Sequence, residues 1–219
     1  MSGVGVRVNS SYVQWLRGEY ESLKDVIELR LKEFRSVDRG DSGRLFEELV
    51  FCVLTPQSSA RRADGAVREL SSRGLLMDGG ARDIYPVLKK WGVRFPAKKT
   101  RYILLNRREL ESGERIKKML MADPHEAREA LVEAVWGLGY KEASHFLRNI
   151  GYSGVAIIDR HVLRGLVRIG VLERELDVSN RRKYLFAEER FMEAAQIIGV
   201  APEALDFLLW YEGTGEIFK

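Results

Sequence analysis

The chain has 219 residues, 45% of them hydrophobic, enough to bury a core in one large domain or two small lobes. Lysine and arginine number 36 against 32 acidic residues, a net charge of +4 that mildly favours a polyanionic partner without requiring one. A single cysteine, Cys52, excludes internal disulfides and a four-cysteine iron–sulfur cluster, and its place in the apolar run 49–54 marks it as a core residue. No apolar run approaches the roughly 20 residues that span a bilayer, and no N-terminal stretch is laid out as a secretion signal. The sequence therefore reads as soluble, intracellular and cytoplasmic.

Helical periodicity dominates and strand-like alternation is scarce, which predicts an all-α fold. Leu23, Val26, Ile27, Leu31 and Phe34 share one face of a helix expected from near Tyr20 to a break at Gly40. Asp41 or Ser42 caps the next, whose Leu45, Phe46, Leu49, Val50 and Val53 form a stripe wide enough for a helix buried in a bundle. Proline supplies no amide donor and disfavours helix just before it, so this helix stops at Thr55-Pro56. A polar loop through Gln57, Ser58 and Ser59 leads into a basic helix from Ala60 to about Arg73. Shorter helices are expected around 83–91, 98–110 and 114–121, punctuated by Gly79-Gly80 and Pro96.

Asp123-Pro124 joins an N-cap to a proline at the first helical position, and Ala127, Ala130, Leu131, Ala134 and Val135 supply an apolar stripe. That helix ends at Gly137-Leu138-Gly139. A second begins near Lys141, carries Ala143, Phe146, Leu147 and Ile150 on one face, and meets a cap at Gly151. Residues 124–151 thus form a helix-hairpin-helix. Glycines at 137 and 139 let the backbone approach a phosphate, toward which the free amides of the following helix point. A glycine turn between packed helices needs no such role, and on the Gly-x-Gly alone the two readings are even. Lys141 at the exit of the turn, with Asp159-Arg160-His161-Val162 downstream, separates them.

These two stretches, Gly137-Leu138-Gly139-Tyr140-Lys141 and Asp159-Arg160-His161-Val162, resemble the helix-hairpin-helix (HhH-GPD) DNA glycosylase superfamily, which places an aspartate 18 residues after the hairpin lysine. More narrowly, residues 139–149 and a C-terminal lysine are similar to the 8-oxoguanine DNA glycosylase/AP lyases of the archaeal second type. The resemblance spans nearly the whole chain. It implies an all-α fold of two helical lobes with a DNA-receiving cleft, one lobe of residues 1–40 and 166–219 and a central lobe of 41–165. The implied partner is double-stranded DNA containing 8-oxoguanine; a monomer is expected because no exposed heptad or long apolar seam demands a second chain.

The resemblance makes Lys141 the nucleophile and Asp159 its supporting carboxylate. An amine that displaces the base at the anomeric carbon stays attached as a Schiff base, which acidifies the neighbouring sugar proton and allows β-elimination of the 3′ phosphate. An ionised Asp159 at a helix N-terminus suits stabilisation of positive charge on the sugar, although Asp159 also serves as a plain cap for the helix through Val162, Leu163, Leu166 and Val167. Extruding a base leaves a gap in the stack, for which Gln57 and Phe95 are the candidates, with Gly137 and Gly139 as the backbone grip. Simple core burial of Phe95 is an equal alternative. The resemblance further places Trp210 and Lys219, with its terminal carboxylate, in the base pocket, where an acceptor distinguishes oxidised guanine by its new ring N–H.

Other classes are weaker. His125, His145 and His161 lie on separate segments without clustered carboxylates or cysteines, so no metal is expected; no cofactor is required, and a monovalent cation at the hairpin is the one addition the reading allows. Arg61-Arg62 and Lys117-Lys118 read as solvated faces. A non-catalytic helix-hairpin-helix DNA-binding protein and a glycosylase for oxidised pyrimidines are the two alternatives.

Overall fold

The computed structural model describes residues 8–110 and 114–219. Among them twelve helices and no strand occur. The first is α1 (Ser10–Arg35), followed by α2 (Ser42–Leu54), α3 (Ala60–Ser72), α4 (Leu75–Asp78) and α5 (Ala81–Lys90). Next come α6 (Pro96–Leu110), α7 (Glu114–Met119), α8 (Pro124–Ala134) and α9 (Tyr140–Asn149). The last three are α10 (Arg160–Ile169), α11 (Arg181–Ile198) and α12 (Pro202–Thr214). None is long and apolar enough to cross a membrane, among the described residues.

The chain divides into two compact units. The central unit runs from Arg35 to Tyr152 and is organised around α2, against which α3, α6 and α9 pack. Asp41 caps α2 by accepting from the Arg44 amide, and every residue from Leu49 to Leu54 is buried, so the wide apolar stripe does mark a helix with neighbours on most sides. Cys52 is within this buried stretch. Glu48, also buried, accepts from Asn149 Nδ2 at 2.6 Å and so fixes α9 to α2 with a polar contact that cannot slide as an apolar one can. The four-residue α4 has no counterpart in the periodicity, being too short to show one.

The terminal unit joins the chain up to Phe34 with Ser153–Lys219. Its α1 starts ten residues before the expected start near Tyr20, because Tyr12, Val13 and Leu16 continue the buried stripe of Ile27, Leu31 and Phe34 across Gly18. Nothing lies within 4 Å of a Cβ built on Gly18, so the glycine is on an open face and costs the helix only about 1 kcal/mol. Val26 is 52% exposed and leaves the predicted face, since one residue turns the helix about 100° from Ile27. Arg17 donates to the carbonyls of Ile197 and Ile198, closing the C-terminus of α11 with a cation where the helix dipole favours one. α12 packs on α10 and α11. The sequence reading drew the unit boundary at 165. It falls at 153, since α10 and the segment before it are held by the terminal helices: Glu188 accepts from the Ala156 amide and Tyr184 bonds both Ala156 and Ile158.

Candidate active site

In the central unit α8 and α9 form the predicted hairpin, with Asp123 capping α8 by accepting from the amides of His125 and Glu126. Gly137 has a φ of +84°, and a Cβ there would come within 2.5 Å of the Tyr102 ring, so the turn requires glycine for both conformation and space. Asn106, buried on α6, holds the preceding residue at two points: its amide donates to the Trp136 carbonyl at 3.0 Å and its oxygen accepts from the Trp136 N–H at 2.8 Å. The fully buried Arg128 on α8 donates to Ser144 Oγ at 3.1 Å on α9, lies 5.6 Å from the centre of the Tyr140 ring and meets His125 Nδ1. Tyr140 in turn donates to Glu129. Side chains of α6 thus hold Trp136 and Gly137, and polar contacts tie α8 to the start of α9.

Gly139 is the N-cap of α9 and supplies no side-chain cap, so the first-turn amides of this helix are left for an external acceptor. Lys141 occupies the second position of α9. Its side chain is 29% exposed, and its Nζ lies 3.7 Å from Glu142 Oε1. The geometry therefore presents a half-buried primary amine directly beside an anion-receptive helix end.

In the terminal unit Asp159 caps α10, with Oδ1 accepting from the amides of His161 at 2.8 Å and Val162 at 2.9 Å. Both bonds fall on one oxygen. His161 meets Trp210 edge to face, ring centres 5.2 Å apart, and a Cβ on Gly213 would overlap the His161 ring. The glycine after Glu212 is therefore what lets α12 seat against the start of α10. Glu212 accepts from both Tyr12 and Arg168, and the Arg168 guanidinium lies 4.1 Å from the centre of the Tyr12 ring, so α1, α10 and α12 are stapled together there. Burial pushes the Tyr12 hydroxyl up, against the opposing effect of Arg168. Trp210 is half-buried with its Nε1 buried and lacking a hydrogen-bond partner among the described residues, and Lys219 is half-buried rather than splayed into solvent.

Gln57 and Phe95 have an unexpected property in common. Among the described residues they alone, of all non-glycine positions, adopt left-handed backbone, with φ of 57° and 56°. Both side chains are exposed, Phe95 by 52%, so it is no core residue. An L-residue in this region costs roughly 1–2 kcal/mol, which a buried framework must sustain. The framework is supplied by Lys99, whose ammonium donates to the carbonyls of Leu54 and Pro56 at 2.7 Å and to Ser58 Oγ at 3.2 Å. Ser58 Oγ also accepts from the Arg94 amide at 2.9 Å.

Sequence reasoning missed Lys99, Tyr102 and Asn106. The helix expected from about 98 begins at Pro96, the position where proline's missing donor costs nothing. Lys99 then shares a helical face with Ile103 and Asn106, a spacing that marks an inward lysine once the helix start is known. The three histidines are each engaged locally, and among the described residues no cluster of three or more histidine, cysteine or acidic side chains could hold a metal ion.

The model of a protein family described as 8-oxoguanine DNA glycosylase matches residues 27–200. The 8-oxoguanine DNA glycosylase/AP lyase of Fusobacterium nucleatum is 34% identical over 216 residues, covering 96% of this chain and 99% of that one. The crystal structure of the 8-oxoguanine DNA glycosylase of Thermotoga maritima superimposes with a TM-score of 0.87 at 34% identity, over 96% of this chain and 99% of that one. A Methanocaldococcus jannaschii 8-oxoguanine glycosylase/lyase, solved in complex with a 15mer DNA containing 8-oxoguanine, gives 0.84 at 34% identity, over 94% of this chain and all of that one.

Proposed function

The chain belongs to the 8-oxoguanine DNA glycosylases of helix-hairpin-helix fold, and from that premise we propose that it excises 8-oxoguanine from duplex DNA and cleaves the strand 3′ to the abasic site. The observation that carries this reading is a half-buried amine, Lys141, in the first turn of a helix whose amides are uncapped by any side chain. A non-catalytic hairpin would need the amides but not a partly sheltered nucleophile.

In the proposed reaction the hairpin amides hold a phosphate and orient the sugar. Neutral Lys141 Nζ attacks C1′ as the bond from C1′ to the base breaks and the base leaves with a proton. Asp159, ionised at the start of α10, stabilises the positive charge that develops on the sugar. Ring opening converts the amine adduct to a Schiff base, loss of a C2′ proton follows, and the 3′ phosphate departs with its electron pair. Hydrolysis of the imine then frees Lys141. Trp210 and Lys219 belong, in this reading, to the pocket for the extruded base, which the seating of α12 on α10 supports. Exposed Gln57 and Phe95 fill the space the base vacates.

The test is borohydride trapping on a labelled duplex containing one 8-oxoguanine. The parent protein should form a covalent complex, whereas Lys141→Gln should form none and lose at least about a thousandfold in strand cleavage. Trapping on an oxidised pyrimidine alone would keep the mechanism and replace the substrate. Binding without trapping or cleavage would leave a DNA-binding protein.

A further inference from the structure

Two exposed turns, from segments nearly forty residues apart in sequence, converge on one buried ammonium. Lys99 has three N–H donors, and each meets an acceptor at the end of α2 or on its connection to α3: the carbonyls of Leu54 and Pro56, and Ser58 Oγ. These acceptors flank Gln57 on both sides. Lys99 itself lies four residues after Phe95, whose carbonyl accepts the Lys99 amide at 3.0 Å. Ser58 closes the loop by accepting the Arg94 amide. Gln57 is therefore bracketed by bonds to the Lys99 ammonium, and Phe95 by the Lys99 amide on one side and, through the Arg94 amide, by Ser58, which the ammonium also holds, on the other.

The location is costly for a cation. Lys99 is 4% exposed, and a buried ammonium is sustained only where its partners are fixed. Part of the compensation comes from the end of α2, where the unshared carbonyls favour positive charge. A neutral donor could meet one such carbonyl. Three acceptors arranged around one point need the three-fold donor that lysine provides.

We propose that Lys99 is a positioning residue for base extrusion, fastening the Gln57 turn and the Phe95 turn into one rigid probe whose two side chains enter a duplex together. The proposal deepens the glycosylase reading and, for its catalytic consequence, rests on it. Separately mobile turns would each lose their strained conformation and meet the duplex one at a time. A joined pair presents both side chains already oriented, as preorganisation requires.

Lys99→Met keeps the length and removes the donors. In the free protein, amide hydrogen exchange in the segments around residues 54–59 and 93–97 should accelerate together by at least about tenfold, with the α8–α9 hairpin unchanged. Excision of 8-oxoguanine from duplex DNA should fall at least about tenfold in single turnover, while strand cleavage at a preformed abasic site in the same duplex, which presents no base to extrude, changes by less than about threefold. Ser58→Ala, which removes the shared acceptor and spares the buried amine, should give the same pattern at smaller amplitude, and it carries the test if Lys99→Met fails to fold. Exchange that rises in one turn only, or in neither, overturns the proposal. Equal losses on the two substrates overturn it as well, since Lys99 would then serve the nucleophile or the fold at large. If the parent protein acts on neither substrate, it is the glycosylase reading that fails, and the exchange data still decide whether the turns form one unit.

Discussion

The hairpin and the turns at Gln57 and Phe95 solve the same backbone problem in opposite ways. Gly137 reaches a φ of +84° with a residue for which that region is nearly free, and at that position only peptide groups are presented. Gln57 and Phe95 reach φ near +57° and +56° with side chains attached, and both side chains face outward. Where the backbone is the tool, glycine is used and the space of the missing side chain is filled by Tyr102. Where, in the proposed reading, the side chain is the tool, strain is accepted and a buried lysine holds it.

The comparison breaks most visibly at Gly137. Gly137→Ala combines the left-handed cost with overlap on the Tyr102 ring, so it should destabilise the fold by about 3 kcal/mol and weaken duplex binding. Adding Tyr102→Ala should restore the overlap part and not the conformational part. Recovery of full stability in the double variant would mean that the turn's conformation contributes nothing, and the contrast with Gln57 and Phe95 would collapse.

A pH titration sharpens the other half. Lys99 is lowered from 10.5 to about 8, first by burial, with the Lys141 charge acting in the same direction and Glu142 opposing. The unfolded chain keeps the proton up to its ordinary pKa, so between pH 8 and about 10.5 the unfolded state binds more protons and stability rises with pH, by at most about 3 kcal/mol. Lys99→Met has no such titration. The melting temperature of the parent should therefore climb relative to that variant as pH goes from 7.5 to 10, and a constant difference would show that Lys99 keeps its proton in the fold as readily as in the unfolded chain.

The smallest effect is the most specific. Phe95→Gly should relieve left-handed strain and raise stability by up to about 1 kcal/mol, while excision from a duplex falls by about tenfold or more. A variant both less stable and less active would indicate that Phe95 packs rather than probes. Thermal melts and single-turnover assays on one preparation separate these outcomes.

How far the sequence could be read follows from the range of each signal. The hairpin was legible because its parts are local: Asp123-Pro124 starts a helix, Gly137 and Gly139 break the chain, and Gly151 ends it with a φ of +83°. Asp159 was legible as a cap for the same reason. The residues that hold these parts were hidden because their partners are distant in sequence; Asn106 bonds a backbone 30 residues away and Lys99 reaches back as far as 45. Their targets are also carbonyls and amides, which leave no mark on sequence pattern. Lys98 and Lys99 look alike in a string, yet one lies over the Tyr102 ring and the other is buried.

Lys99, Tyr102 and Asn106 ride on a single helix, the first holding the turn at Gln57 and the other two the hairpin. One residue inserted between Lys99 and Tyr102 would rotate everything beyond it by about 100° and uncouple the two functions at a stroke. Loops elsewhere can lengthen, but α6 acts as a gauge whose count is set, and insertions there should be purged while substitutions on its outer face accumulate.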